Sequence, residues 1–153
     1  MSDELLSEIE SLVGRDRGLS LALSRIVGHF RADSGTIHLL GPDGMLHLRA
    51  ATPGIPQAVL EAVETVPVGK GMAGLAVERN QPVDACNIQT DTSGDVRPGA
   101  RATGLRGSIV VPIRRQAAAV GALGVANYKE RTFDEPEIAL LITLGRLLAA
   151  AAQ

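Results

Sequence analysis

The sequence predicts an α+β fold: a central antiparallel sheet of about six strands, with helices from both ends of the chain on one face. Three observations carry that reading. Two alternating apolar stretches, 36–50 and 107–128, each read as a pair of strands joined by a turn. A glycine-rich segment between them, 65–83, reads as strand, loop, helix and strand. Helical apolar stripes open and close the chain. With 153 residues, 45% of them hydrophobic, one domain with a real core is expected.

Taken in order, residues 3–13 form a short amphipathic helix. Leu5, Ile9 and Leu12 fall at i, i+4 and i+7, with Glu4, Glu8 and Glu10 around them. Residues 1–17 are set apart as a helix for dimerisation or linkage, and 18–153 as the domain proper. A second helix, 19–32, carries Leu19, Leu23, Ile26, Val27 and Phe30. Strands 36–40 and 45–50 are joined by Gly41-Pro42-Asp43-Gly44. Pro42 disfavours the mirror-image two-residue turn, so a three-residue loop with a bulge at Gly44 is expected. That register pairs Leu40 with Leu46 and His38 with Leu48, and sets His47 opposite Leu39. His38 and His47 then face opposite ways and share no metal.

A short helix, 57–64, precedes the glycine segment. There Val66 and Val68 suit a strand, Gly69 and Gly71 permit left-handed backbone, and Met72 to Arg79 suit a helix stopped by Asn80 and Pro82. Gly69, Gly71 and Gly74 match the dinucleotide-binding spacing G-x-G-x-x-G. The match lacks the parallel βαβ context that spacing requires, since it follows an antiparallel hairpin and no second βαβ half comes after it. A strand at 83–86 leads into a long polar loop, 87–106, with a helical turn expected near 99–103. Strands 107–114 and 118–128 follow. In the latter, Leu123, Val125 and Asn127 share one face, which should pack on helices. Val120, Ala122, Gly124 and Ala126 share the other, and such small side chains leave space for a loop side chain or a ligand. The last helix is capped by Thr132 or Asp134 and bears Ile138, Leu141, Ile142, Leu144 and Leu148.

The ordered set of glycine loop, Gln81-Pro82-Val83 strand, long loop, Ser108 to Ile113 and Val120 to Val125 resembles the GAF domain family over residues 18–152. The resemblance implies a GAF-like (PAS-like) sheet with helices on one face and a pocket under loops on the other. It implies a non-catalytic regulatory module that binds a small molecule. The expected wall is His38, Leu48, Met72, Ala73, Arg97, Arg101, Ser108, Val110, Gly124 and Ala126. Met72 and Ala73, at a helix start, offer backbone N–H groups to an anion. Arg97, Arg101 and Arg106 add charge from the long loop. Neither the ligand nor a cofactor is named by the resemblance. It also implies a homodimer through the terminal helices, with Leu5, Ile9 and Leu12 joining the last helix. An output domain such as a kinase or transcription activator is a further expected partner. The last helix stops at Gln153 without a C-cap, so an excised sensor domain is expected, a free-standing one being the alternative.

Relatives with defined chemistry match less well. Some GAF-like proteins reduce free methionine-R-sulfoxide with thiols, at positions that fall near Met72, Arg97 and Arg101, and hold the amino group with acids where Ser108, Gly124 and Ala126 stand here. Bilin attachment needs a cysteine, and none lies between Asp95 and Ser108. Asn127, Lys129, Phe133 and Asp134 resemble a cyclic-nucleotide set with altered spacing, and a Lys129–Asp134 contact pinning the last helix is the plainer reading. The one cysteine, Cys86, reads as a buried strand thiol and allows no internal disulfide. His29, His38 and His47 are scattered, without metal-ligand spacing.

A net charge of −2 and three aromatic residues argue against nucleic acid. The apolar runs are too short for a bilayer, and the acidic start is unlike a signal peptide, so a cytoplasmic protein without membrane contact is expected. A dimerisation module with a degenerate pocket, or a reductase-like enzyme, are the competing readings.

Overall fold

Six strands form one antiparallel sheet in a computed structural model that describes residues 2–152. Helices α1 (Ser2–Val13) and α2 (Gly18–His29) come first, then strands β1 (Ser34–Leu40) and β2 (Met45–Ala51). Helix α3 (Gln57–Ala62), strand β3 (Thr65–Pro67), helix α4 (Gly71–Arg79) and strand β4 (Val83–Ala85) follow. A 3-10 turn (Pro98–Thr103) lies in the long loop before β5 (Gly107–Arg115), β6 (Ala118–Asn127) and α5 (Glu135–Leu148). The sheet order is β3-β2-β1-β6-β5-β4.

The first hairpin has the expected register: Leu40 opposes Leu46, Leu39 opposes His47 and His38 opposes Leu48. Gly44 takes the left-handed position at φ 79°, and Gly41 N–H donates to Met45 O at 2.8 Å. His47 turns back to Asp43 at the hairpin tip, 2.9 Å away, and so leaves His38 alone on its own face.

Apolar alternation sorts the two faces of the sheet. Ile37 and Leu39, Ile109, Val111 and Ile113, and Leu123 and Val125 pack against α1, α2 and α5 in the main core. Each such buried side chain contributes about 1.5–3 kcal/mol. Leu5 and Ile9 belong to this core, at 2% and 0% exposure. Within one chain, then, these two side chains face the protein's own helices. The helix is too short to stand alone in water, and its apolar stripe is already spent on α2 and α5.

Helix α5 is started by a capping box. The Asp134 carboxylate accepts from Glu137 N–H at 2.9 Å, and the Glu137 carboxylate accepts from Asp134 N–H at 3.1 Å. The pin expected from Lys129 is supplied instead by Arg131. Its guanidinium pairs with Glu137 at 2.7 Å, donates to Phe30 O and stacks 4.3 Å over the Phe133 ring. Asn127 donates to Arg31 O, so it too ties helix ends to the sheet. Cys86 is exposed rather than buried, because β4 ends at Ala85 and the chain bends outward there.

The glycine segment crosses the free face of the sheet. Strands β3 and β4 occupy opposite edges, so α4 spans the sheet between them and packs on β5 and β6. This is no parallel βαβ unit. Gly69 has φ 93°, which lets its N–H reach Gly74 O at 2.9 Å. Gly74 sits so close to β3 that a Cβ there would lie 2.4 Å from Pro67 O. Asn80 ends α4 in the left-handed region at φ 53°. Arg114 of β5 holds it there, donating to the Asn80 side chain at 2.8 Å and to its carbonyl at 2.6 Å.

Candidate functional site

Small side chains on one face of β6 leave room beneath α4. With Gly124 and Ala126 as floor, a cavity of about 340 Å³ opens between the sheet, α3, the start of α4 and the long loop. That volume lies at the lower end of small-molecule sites. Thr36 and His38 of β1 and Ser108 and Val110 of β5 complete the floor. Ile55, Val59 and Val63 close one side, and Val96, Ala100 and Leu105 of the long loop close another.

Eight of the ten wall residues expected from sequence meet here: His38, Met72, Ala73, Arg97, Ser108, Val110, Gly124 and Ala126. Leu48 and Arg101 stand outside the wall. Leu48 is displaced because the chain after α3 folds over β2. Leu48 N–H donates to Glu64 O at 2.9 Å, and Val63 and Val66 take the wall positions at that end. Arg101 is used up inside its own loop, donating to Asp91 O at 2.9 Å and to Ile88 O at 3.4 Å. Arg106 is exposed and likewise not part of the wall.

Sequence reasoning also missed α3 and Lys70. Helix α3 has no buried residue, yet Val59, Ala62 and the following Val63 line the cavity, and their i, i+3, i+4 spacing was the signal that could have marked it as a wall. Lys70 is the exposed residue preceding α4. Its only signal was its place before Gly71 in the glycine loop.

His38 is 3% exposed. Its Nε2 donates to Val63 O at 2.8 Å, so the neutral ring carries its proton there and Nδ1 is left as an acceptor. Nδ1 is buried without a partner. Burial pushes the ring's pKa below its usual 6.5, with the Val63 carbonyl partly offsetting that. The floor is therefore neutral. Ser108 is buried, and its hydroxyl makes only a long 3.4 Å bond to Val125 O.

The long loop is stitched to itself and to its surroundings. Gln89 donates to Arg101 O and Leu105 O at 3.1 and 2.8 Å. Arg79 of α4 reaches Asp95 with two bonds of 3.0 and 3.1 Å. Arg97 lays its aliphatic stem across Gly71, where a Cβ would lie 2.7 Å from the Arg97 Cδ. Among the described residues, no three His, Cys, Asp or Glu side chains gather as a metal site. Among the same residues no helix is long and apolar enough to cross a membrane.

This architecture is shared with solved structures. The chain superimposes on the GAF domain of an Acinetobacter phosphoenolpyruvate-protein phosphotransferase at 21% identity, covering 97% of this chain and 90% of that one, with TM-score 0.78. The GAF domain of the Coxiella burnetii phosphoenolpyruvate-protein phosphotransferase gives 24% identity, 98% and 91% coverage and TM-score 0.78. A free methionine-R-sulfoxide reductase from Neisseria meningitidis, solved with its substrate, gives 21%, 98%, 87% and 0.77. At these identities the likeness is one of fold. No curated protein matches the chain. The GAF domain model, however, matches residues 16–153. With that match over nearly the whole sequence, and with the six-stranded sheet and its roofed cavity, the chain belongs to the GAF domain family.

Proposed function

We propose that this GAF domain is a sensor that binds a small molecule in the cavity over β6 and performs no chemistry on it. The observation that carries the reading is the cavity itself. It is floored by Gly124 and Ala126 and not plugged by a side chain of the protein. The lack of catalysis is supported by the wall's composition. Met72 and Arg97 stand where reductase thiols are expected, and Cys86 lies exposed at the end of β4, outside the wall.

Occupancy would be relayed through β6. Gly124 faces the cavity while Leu123 and Val125, its neighbours, are packed into the helical core. A ligand that shifts the strand by a fraction of an ångström changes the packing of α2 and α5, and so biases whatever those helices contact. A homodimer or an output domain is the natural receiver in this scheme.

The test is native mass spectrometry of gently purified protein, together with a thermal-shift screen of a metabolite library. A ligand at a hundred times its Kd adds about 2.7 kcal/mol, which raises Tm by roughly 5–10 °C in a domain of this size. No co-purifying mass and no stabilising compound would leave a scaffold without a sensor.

A further inference from the structure

The charges around the cavity are one-sided, and this bears on what enters it. Resting on the sensing reading above, we propose that the ligand is a small organic acid. Its carboxylate is held at the start of α4 between Lys70 and Arg97, its body is apolar, and a hydroxyl or N–H group on that body pairs with His38.

Four observations converge on this chemistry. No aspartate or glutamate lines the cavity, while Lys70 and Arg97 both do. Neither cation has an ion-pair partner among the described residues. Between them the first turn of α4 presents the N–H groups of Gly71, Met72 and Ala73, which have no partner within the helix. No side chain caps that turn, so the positive end of the helix is open toward the cavity. Deeper in, His38 is 3% exposed and its Nδ1 is a lone pair without a donor. Leaving a buried acceptor unmatched is unfavourable, and a donor on the occupant relieves it. Apart from the hydroxyls of Ser34, Thr36, Thr103 and Ser108 the rest of the wall is apolar, which suits an apolar body better than a sugar or another densely polar ligand. The missing acids argue against a zwitterion, whose ammonium would lie near two cations with no counter-charge.

The experiment is an amide chemical-shift titration of the full chain with 4-hydroxybenzoate, 4-hydroxyphenylacetate and 6-hydroxyhexanoate. Each is compared with its own amide and with the acid lacking the hydroxyl. The hydroxy acids are expected to shift Gly71, Met72 and Ala73 and to bind at least tenfold more tightly than the amides. Lys70→Met and Arg97→Met, both at exposed positions, should each weaken the acids three- to tenfold and leave the amides unchanged. His38→Phe should abolish the advantage of the hydroxylated acid over the plain one. Amides that bind as well as the acids, or acids that shift only surface residues away from α4, overturn the inference. If neutral compounds occupy the cavity and acids do not, this inference falls while the sensing function stands. If neither these probes nor any metabolite perturbs the cavity residues, both fall.

Discussion

His38 on β1 donates through Nε2 to the carbonyl of Val63, 2.8 Å away, and so ties the floor of the cavity to the end of α3. The bond needs no charge on the ring, and burial keeps the ring neutral. Stability should therefore depend on pH in a defined window. Above the ordinary value of 6.5 both folded and unfolded chains carry a neutral ring. As pH falls below it, the unfolded chain takes up a proton that the folded chain refuses. Stability is then lost at up to about 1.4 kcal/mol per pH unit until the lower folded pKa is reached. Urea midpoints measured from pH 7.5 down to 5 should show this slope, and His38→Leu should remove that part of it.

Gly74 should tolerate no side chain. A Cβ there meets backbone, 2.4 Å from Pro67 O and 3.0 Å from Gly69 N, and neither group has a rotamer in which to escape. Gly74→Ala should cost about 1–3 kcal/mol, as overpacking does. Gly99→Ala is the control, since a Cβ at that position meets open space. Equal urea midpoints for the two variants would contradict the packing of α4 against β3.

Gly124→Leu should block the cavity without dismantling the sheet. The added Cβ comes closest to two side-chain atoms, Val110 Cγ2 at 3.3 Å and Thr36 Oγ1 at 3.4 Å, with the backbone Ile109 O at an ordinary 3.8 Å, and the isobutyl group rises into the empty volume. A compound that raises the Tm of the parent by several degrees should raise that of the variant by none. Retained stabilisation would mean that the ligand sits elsewhere.

Ile9 is fully buried against the rest of the chain. Ile9→Ala should cost about 2–5 kcal/mol, and the loss should be the same at every protein concentration. A penalty that grows on dilution would instead place this residue between two copies.

The bidentate contact of Arg79 with Asp95 joins α4 to the long loop at an exposed position. Asp95→Ala should leave Tm nearly unchanged, because exposed pairs contribute little. Hydrogen exchange of the amides around residues 91–97 should nevertheless quicken. Unaltered exchange would show that the loop is held by its internal bonds alone.

Much of this architecture was legible in the chain. Pro42 and Gly44 dictated the hairpin register through φ alone, and the small-residue face of β6 announced the cavity because alternation assigns faces without tertiary knowledge. The misreadings share a cause: each depended on what a neighbour does. Leu48 has the right face and the right register, yet the chain after α3 takes its place. Arg101 is a loop arginine like Arg97, but carbonyls of its own loop claim it. Cys86 follows an alternating strand that stops one residue early. The amphipathic stripe of α1 looks the same whether it meets a second molecule or the protein's own core, and only the folded chain shows it meeting the latter.

The segment that bridges the sheet has its two ends sewn into opposite margins, β3 at one and β4 at the other. A hinged door needs one free side, and α4 has none. Lifting it would strip a terminal strand from the sheet and break the Arg114 clasp on Asn80 as well. Residues 87–106 have no such double anchorage: their side-chain hydrogen bonds to α4 are those of one surface pair, Arg79 with Asp95, beside the apolar packing of Met72 on Ile88, Val96 and Leu105. In the sensing scheme proposed above, the doubly anchored roof would set which molecule fits, and residues 87–106 how fast it enters and leaves.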